Sequence, residues 1–138
     1  RSFTPARVKR VLVLLHGAQV TGDDLVPEAE VLQRLLPETA VVLPEGPCLL
    51  NEELGLRAWW PPPETQAPAA VVHRLVATVQ SVLRRSGSAA ALLLGGFSQG
   101  SMLLVQSLGA LRRHGVNVRG LCVLSGLVEP FEIIADMR

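Results

Sequence analysis

With 138 residues, 49% of them hydrophobic and 18% charged, the chain is long enough to bury a core and too apolar to be a disordered segment. Its formal net charge of +1 gives no general electrostatic case for nucleic acid or an anionic membrane. The apolar runs break at Gly, Pro or charge before the roughly 18 residues a bilayer span requires, and no His/Cys/carboxylate group has metal-ligand spacing, so no membrane span, metal or other cofactor is expected.

The opening RSFTPARVKR carries four basic residues and no acid. It reads as a basic lead-in to the first strand, with the remnant of an organelle transit sequence as the alternative. VLVLLHG (11–17), TAVVLPEG (39–46), AALLLGG (90–96) and GLCVLSG (120–126) then read as four strands. Their continuous rather than alternating hydrophobicity is that of parallel strands covered on both faces. Between the first two, Asp23 and Asp24 favour a helix N-terminus, with Leu25, Ala29, Leu32, Leu35 and Leu36 as its apolar stripe. A second helix follows Pro68, with Val72, Leu75, Val76, Val79 and Leu83 on one face, Arg84 and Arg85 in the last turn and Gly87 as the stop. The third opens at Ser98 and runs to Arg113, with Leu103, Leu104, Leu108 and Leu111 inward.

This order is that of one doubly wound parallel α/β domain over residues 1–138, of about four strands and three main helices. The one irregular insert, Pro44 to Pro68, reads as a structured surface loop leaving the C-terminal end of the second strand, the edge where α/β ligands bind. Cys48 and Cys122 read as buried free thiols of a reduced, intracellular compartment, cytoplasmic first and mitochondrial or other organelle second.

Gly96-Phe97-Ser98-Gln99-Gly100 matches G-x-S-x-G between a strand and a helix. In that context the serine is forced to φ > 0, its hydroxyl is lifted above the sheet, and neighbouring chain passes too close for a Cβ at the two flanking glycines. The N–H of Gln99 and the positive helix end then face any charge developing on an attacked carbonyl. A second donor is available at the first strand's end, where Gly17 lets the Ala18 N–H point inward. Phosphate-loop readings fail: the glycines lack G-x-G-x-x-G spacing, and Asp23-Asp24 stand where a P-loop after Gly17 and Gly22 needs Lys-Ser/Thr.

LLHGAQVTGDDL, RAWW and LLLGGFSQGSM, in that order, resemble the carboxylesterase/phospholipase family, the acyl-protein thioesterase branch of the α/β-hydrolase fold. The resemblance spans roughly residues 8 to 128. It implies Ser98 as nucleophile, Ala18 and Gln99 as oxyanion-hole N–H donors, and elbow glycines at Gly96 and Gly100. It also implies a tryptophan at Trp59 lining the acyl pocket and a loop-shaping His16. Trp60 and Leu49, Leu50 and Leu54 extend the expected apolar wall, with a covered core or a surface turn stiffened by Pro61-Pro62-Pro63 as the equal alternative. The sequence departs from the family at Ala18-Gln19-Val20, where x-G-D is usual, at Pro61, which replaces an acid, and at Ser101, which replaces a third elbow glycine.

The family's triad Asp and His follow two further strands, so the resemblance implies that the triad region lies beyond Arg138. Within the chain, His114 stands about 24 Å along the third helix from Ser98, His73 lies on a polar face, and Asp136 has no histidine to orient. The implied function is a serine hydrolase of carboxylic esters or acyl thioesters, inactive as the isolated 138 residues. The alternatives are a truncated or inactive homologue serving as a structural or interaction subunit, and a small-molecule binder using the oxyanion pocket without turnover. GLCVLSG is the expected edge strand, awaiting a partner chain, a homo-oligomer or a further element begun by Phe131, Ile133 and Ile134.

Overall fold

The run Val11–Leu15 is aliphatic at every position, and a strand of that kind is stable only with apolar cover on both faces. In the computed structural model, which describes residues 1–87 and 89–126, it lies within strand β2 (Arg10–Leu15), followed by α1 (Val26–Leu35) and β3 (Thr39–Val42). A two-residue β1 (Ser2–Phe3) precedes it. The insert folds as a hairpin, β4 (Cys48–Asn51) and β5 (Leu56–Ala58), and the chain continues through α2 (Ala69–Ser86), β6 (Ala91–Phe97), α3 (Gln99–Arg113) and β7 (Val118–Leu124).

The main sheet has the order β1-β3-β2-β6-β7. Its four long strands are mutually parallel, as expected, and β1 is an antiparallel addition to β3 that no sequence pattern announced. Leu12 and Leu14 face α1 with Ala29, Val41 and Leu43. Val11, Val13 and Leu15 face the opposite way, into a larger core with Leu75, Val79, Leu103 and Leu104 of α2 and α3. At about 1.5–3 kcal/mol per fully buried aliphatic side chain, this double cover is the main favourable term in the fold.

Four expectations are corrected. Helix α1 begins at Val26, with Pro27 in its first turn; Asp24 instead accepts from the Thr21 N–H at 3.0 Å and hydroxyl at 2.7 Å, closing a turn before the helix. Leu35 is 70% exposed, because α1 ends there with no layer outside it. Leu108 is only half-buried and stands outside the core cluster, while Val82 takes a core position and Leu83, half-buried, packs against that core as expected. Neither cysteine is buried: Cys48 is intermediate and Cys122 exposed, the latter on β7, the outermost strand among the described residues. The element expected from Phe131 onward, and Asp136, lie outside the described residues. Among those described, no helix is long and apolar enough to cross a membrane, and no group of three His, Cys, Asp or Glu is placed to hold a metal ion.

Candidate active site

Strand β6 turns into α3 through one residue, Ser98, at φ 51° and ψ −118°. For a residue with a Cβ this left-handed geometry is strained, and it persists only where the surroundings over-determine it. They do so here. A Cβ on Gly96 would lie 2.7 Å from the Gly100 carbonyl carbon and the Ser101 nitrogen, and one on Gly100 would lie 2.5 Å from the His16 oxygen and 2.6 Å from that of Leu15. Backbone therefore occupies the space that side chains at these positions would need. The Ser98 N–H donates to Leu124 O at 2.8 Å, which ties the bend to the end of β7.

Ser101 adds a second tie. Its buried hydroxyl lies 2.5 Å from Gly96 O and accepts from the Leu124 N–H at 3.1 Å, joining the two strands beneath the bend. Where the resemblance implies a glycine, this chain gains a hydroxyl clamp.

The loop after β2 lies against the same spot, for a Cβ on Gly17 would come 3.3 Å from that of Ser98. His16 is 3% exposed, its Nε2 accepts from the Gly46 N–H at 2.8 Å, and Nδ1 lies 2.6 Å from Gly17 O. Since Nε2 accepts, the proton sits on Nδ1, and both ring nitrogens are engaged. The ring stacks on Trp59 at 5.0 Å, and the Trp59 indole N–H donates to His16 O at 2.8 Å. Past His16 the chain bends at Gln19, φ 61°, and Gln19 and Val20 exchange backbone bonds with Arg57. The departure from x-G-D is thus held by pairing with the insert. Neither the Ala18 nor the Gln99 N–H has a hydrogen-bond partner among the described residues.

Trp59 and Trp60 are 3% and 1% exposed and belong to the core, which decides for the covered-core alternative against the pocket wall. Their backbone is held by the Gln99 side chain, whose Oε1 accepts from the Trp59 N–H at 2.8 Å and whose Nε2 donates to Trp60 O at 2.9 Å. That amide role was missed, since its partners lie some 40 residues away in sequence. An apolar cleft of about 710 Å³ does border the site, between α1 and the sheet, lined by His16, Gly17, Leu25, Leu32, Phe97 and Leu124. Of the sequence-selected residues, Ser98, Gly96, Gly100, Gln99, Ala18 and His16 converge; His73 and His114 are exposed on α2 and at the far end of α3.

The model of a family described as phospholipase/carboxylesterase matches residues 4–136. Among solved structures, maize acyl-protein thioesterase 2 is 24% identical with a TM-score of 0.66, over 93% of this chain and 62% of that one. Esterase PE8 is 18% identical with a TM-score of 0.65, over 99% and 95%. A carboxylesterase of Bacillus cereus is 14% identical with a TM-score of 0.59, over 99% and 91%. The chain therefore spans less than two thirds of the maize thioesterase's length. At these identities the likeness speaks for the α/β-hydrolase fold alone. Curated proteins offer no match to the sequence.

Proposed function

Because the chain belongs to the phospholipase/carboxylesterase family, we propose that it supplies the nucleophile-bearing part of a hydrolase of carboxylic esters or acyl thioesters, with Ser98 as nucleophile. The observation that carries the reading is the strained Ser98 backbone at the strand–helix junction, maintained by two glycines that admit no Cβ. Ser98 Oγ attacks the acyl carbonyl and loses its proton to a base. The alcohol or thiol leaves with a proton, and water then releases the acid from the acyl-enzyme. The unpartnered N–H groups of Gln99 and Ala18 stabilise the oxyanion, the former with the positive end of α3 behind it.

Among the described residues no side chain is placed to serve as that base. Of the three histidines, His16 has both nitrogens engaged, His73 is exposed in the N-terminal part of α2, and His114 closes the far end of α3. A segment outside these residues, or a second chain, provides it. The isolated 138 residues therefore react slowly with a fluorophosphonate probe, and what reaction occurs disappears in Ser98→Ala. A longer form of the chain carrying a further Asp and His labels rapidly at Ser98; if it does not, the homologue acts as an interaction subunit and the hydrolase reading falls.

A further inference from the structure

Charge in this molecule is sorted by sheet edge. The helices run against the parallel strands, so helix C-termini and strand starts share the edge remote from Ser98. Five arginines close the helices there: Arg34 on α1, Arg84 and Arg85 on α2, Arg112 and Arg113 on α3. Arg7, Lys9 and Arg10 lead into β2, and Arg119 stands near the start of β7. Nine of the chain's 13 Lys and Arg thus gather at one end. Among the described residues the carboxylate paired with them is Glu38, which meets Lys9 at 2.7 Å and Arg7 at 3.5 Å. Asp23, Asp24 and Glu45 lie in loops that follow the strands, Asp24 beside the site cleft itself, and of the nine cations Arg85 alone lines a cavity shared with Asp23 and Glu45 among the described residues.

Helix dipoles account for cations in the last turns. They do not call for the four at the strand starts, nor for so few acids. Among the described residues Arg34, Arg84, Arg85, Arg113 and Arg119 are exposed and form no ion pair. Leu35, 70% exposed, stands beside Arg34, and Leu121, 36% exposed, is close to Arg119. Among the described residues no Phe or Trp lies among these cations to stack on a nucleobase, and His114 is the one ring beside them.

We infer that this edge docks on an anionic phospholipid surface, guanidinium forks on headgroup oxygens and Leu35 reaching the interface. Helix α3, 15 residues long, separates the docked edge from Ser98 by about 22 Å. The site then faces the aqueous side, so the contact recruits the protein to the lipid without delivering lipid to the serine.

The test is sedimentation with vesicles of phosphatidylcholine alone or mixed with phosphatidylserine. Binding is expected only with phosphatidylserine present, and lost at high salt. The pair Arg84→Glu and Arg113→Glu lowers affinity at least about tenfold. Arg84→Gln with Arg113→Gln lowers it less and keeps the melting temperature. Leu35→Ser weakens binding without changing its salt dependence. Ser98→Ala binds like the parent protein, so loss of the hydrolase reading would leave this one standing. No binding, equal binding to both vesicles, charge reversal without effect, or displacement by duplex DNA overturns it, the last in favour of a nucleic-acid surface.

Discussion

Gln99 and Gln106 stand two turns apart on α3, and both extend their amides to the segment arriving from the hairpin. Gln99 brackets Trp59 N–H and Trp60 O; Gln106 accepts from the Ala67 N–H at 2.7 Å and donates to Thr65 O at 2.8 Å. Each side chain pairs with backbone as a neighbouring strand does, which lets an irregular segment cross the molecule with its polar groups satisfied. The two differ in burial. Gln99→Ala strands a donor and an acceptor in the interior and costs roughly 2–4 kcal/mol. Gln106→Ala, whose bond to Thr65 is exposed, costs about 1 kcal/mol. Urea denaturation of the two variants checks the ordering, and equal costs would show that the Trp59–Trp60 backbone finds other partners. Sequence marks Gln99 only through its N–H beside the nucleophile. Nothing local reveals that its side chain meets Trp59 across 40 residues, and so the two tryptophans that fill the core stood in sequence between pocket wall and covered core.

The four parallel strands were legible because an all-aliphatic run has only one comfortable place, a sheet covered twice. The serine bend was legible for a related reason: glycines on both sides of one serine serve close backbone approach, which Gly96 and Gly100 display. Strand β1 and the β4–β5 hairpin were not, since two residues carry no periodicity and the hairpin alternates too briefly. The start of α1 was misread because acids before an apolar stripe also suit a turn, and Asp24 closes one. The connection from α1 to β3 shows how such joints are held. Glu38, at φ 62°, accepts the Lys9 and Arg10 N–H groups on its carbonyl and pairs its carboxylate with Lys9 and Arg7. The Lys9 hydrogen bond, with the charges of Lys9, Arg7 and Arg10, holds the Glu38 carboxyl below its usual range. A carboxylate with a lower pKa folded than unfolded stabilises the fold above the unfolded value, and that contribution disappears as pH falls through the lowered one. Stability therefore declines on acidification across that window. Lys9→Ala brings the Glu38 resonance in an NMR titration back toward an ordinary carboxylate, and an unchanged midpoint would remove Lys9 as the cause.

A near-neutral total conceals how this chain distributes charge and cover. Within a formal charge of +1, the described residues gather most of their cations where the helices end, which composition alone cannot show because topology decides where each helix ends. Cover is similarly uneven. Strands β2 and β6 are hydrogen-bonded on both sides, whereas β7 pairs with β6 alone among the described residues. Its outward groups and the exposed Leu121, Cys122 and Leu124 form the edge on which a partner chain, a second copy or a further strand can add. Native-state hydrogen exchange reads this directly. Amides of Val11–Leu15 and Leu92–Gly96 exchange only through global unfolding, while the outward amides of β7 exchange through local opening and much faster. A form of the protein with its partner bound, or with more chain attached, slows β7 toward the rate of β6 and leaves the centre unchanged. Equal protection of β6 and β7 in the isolated 138 residues would mean that the edge is already covered, and the incompleteness proposed for the catalytic site would lose its structural support.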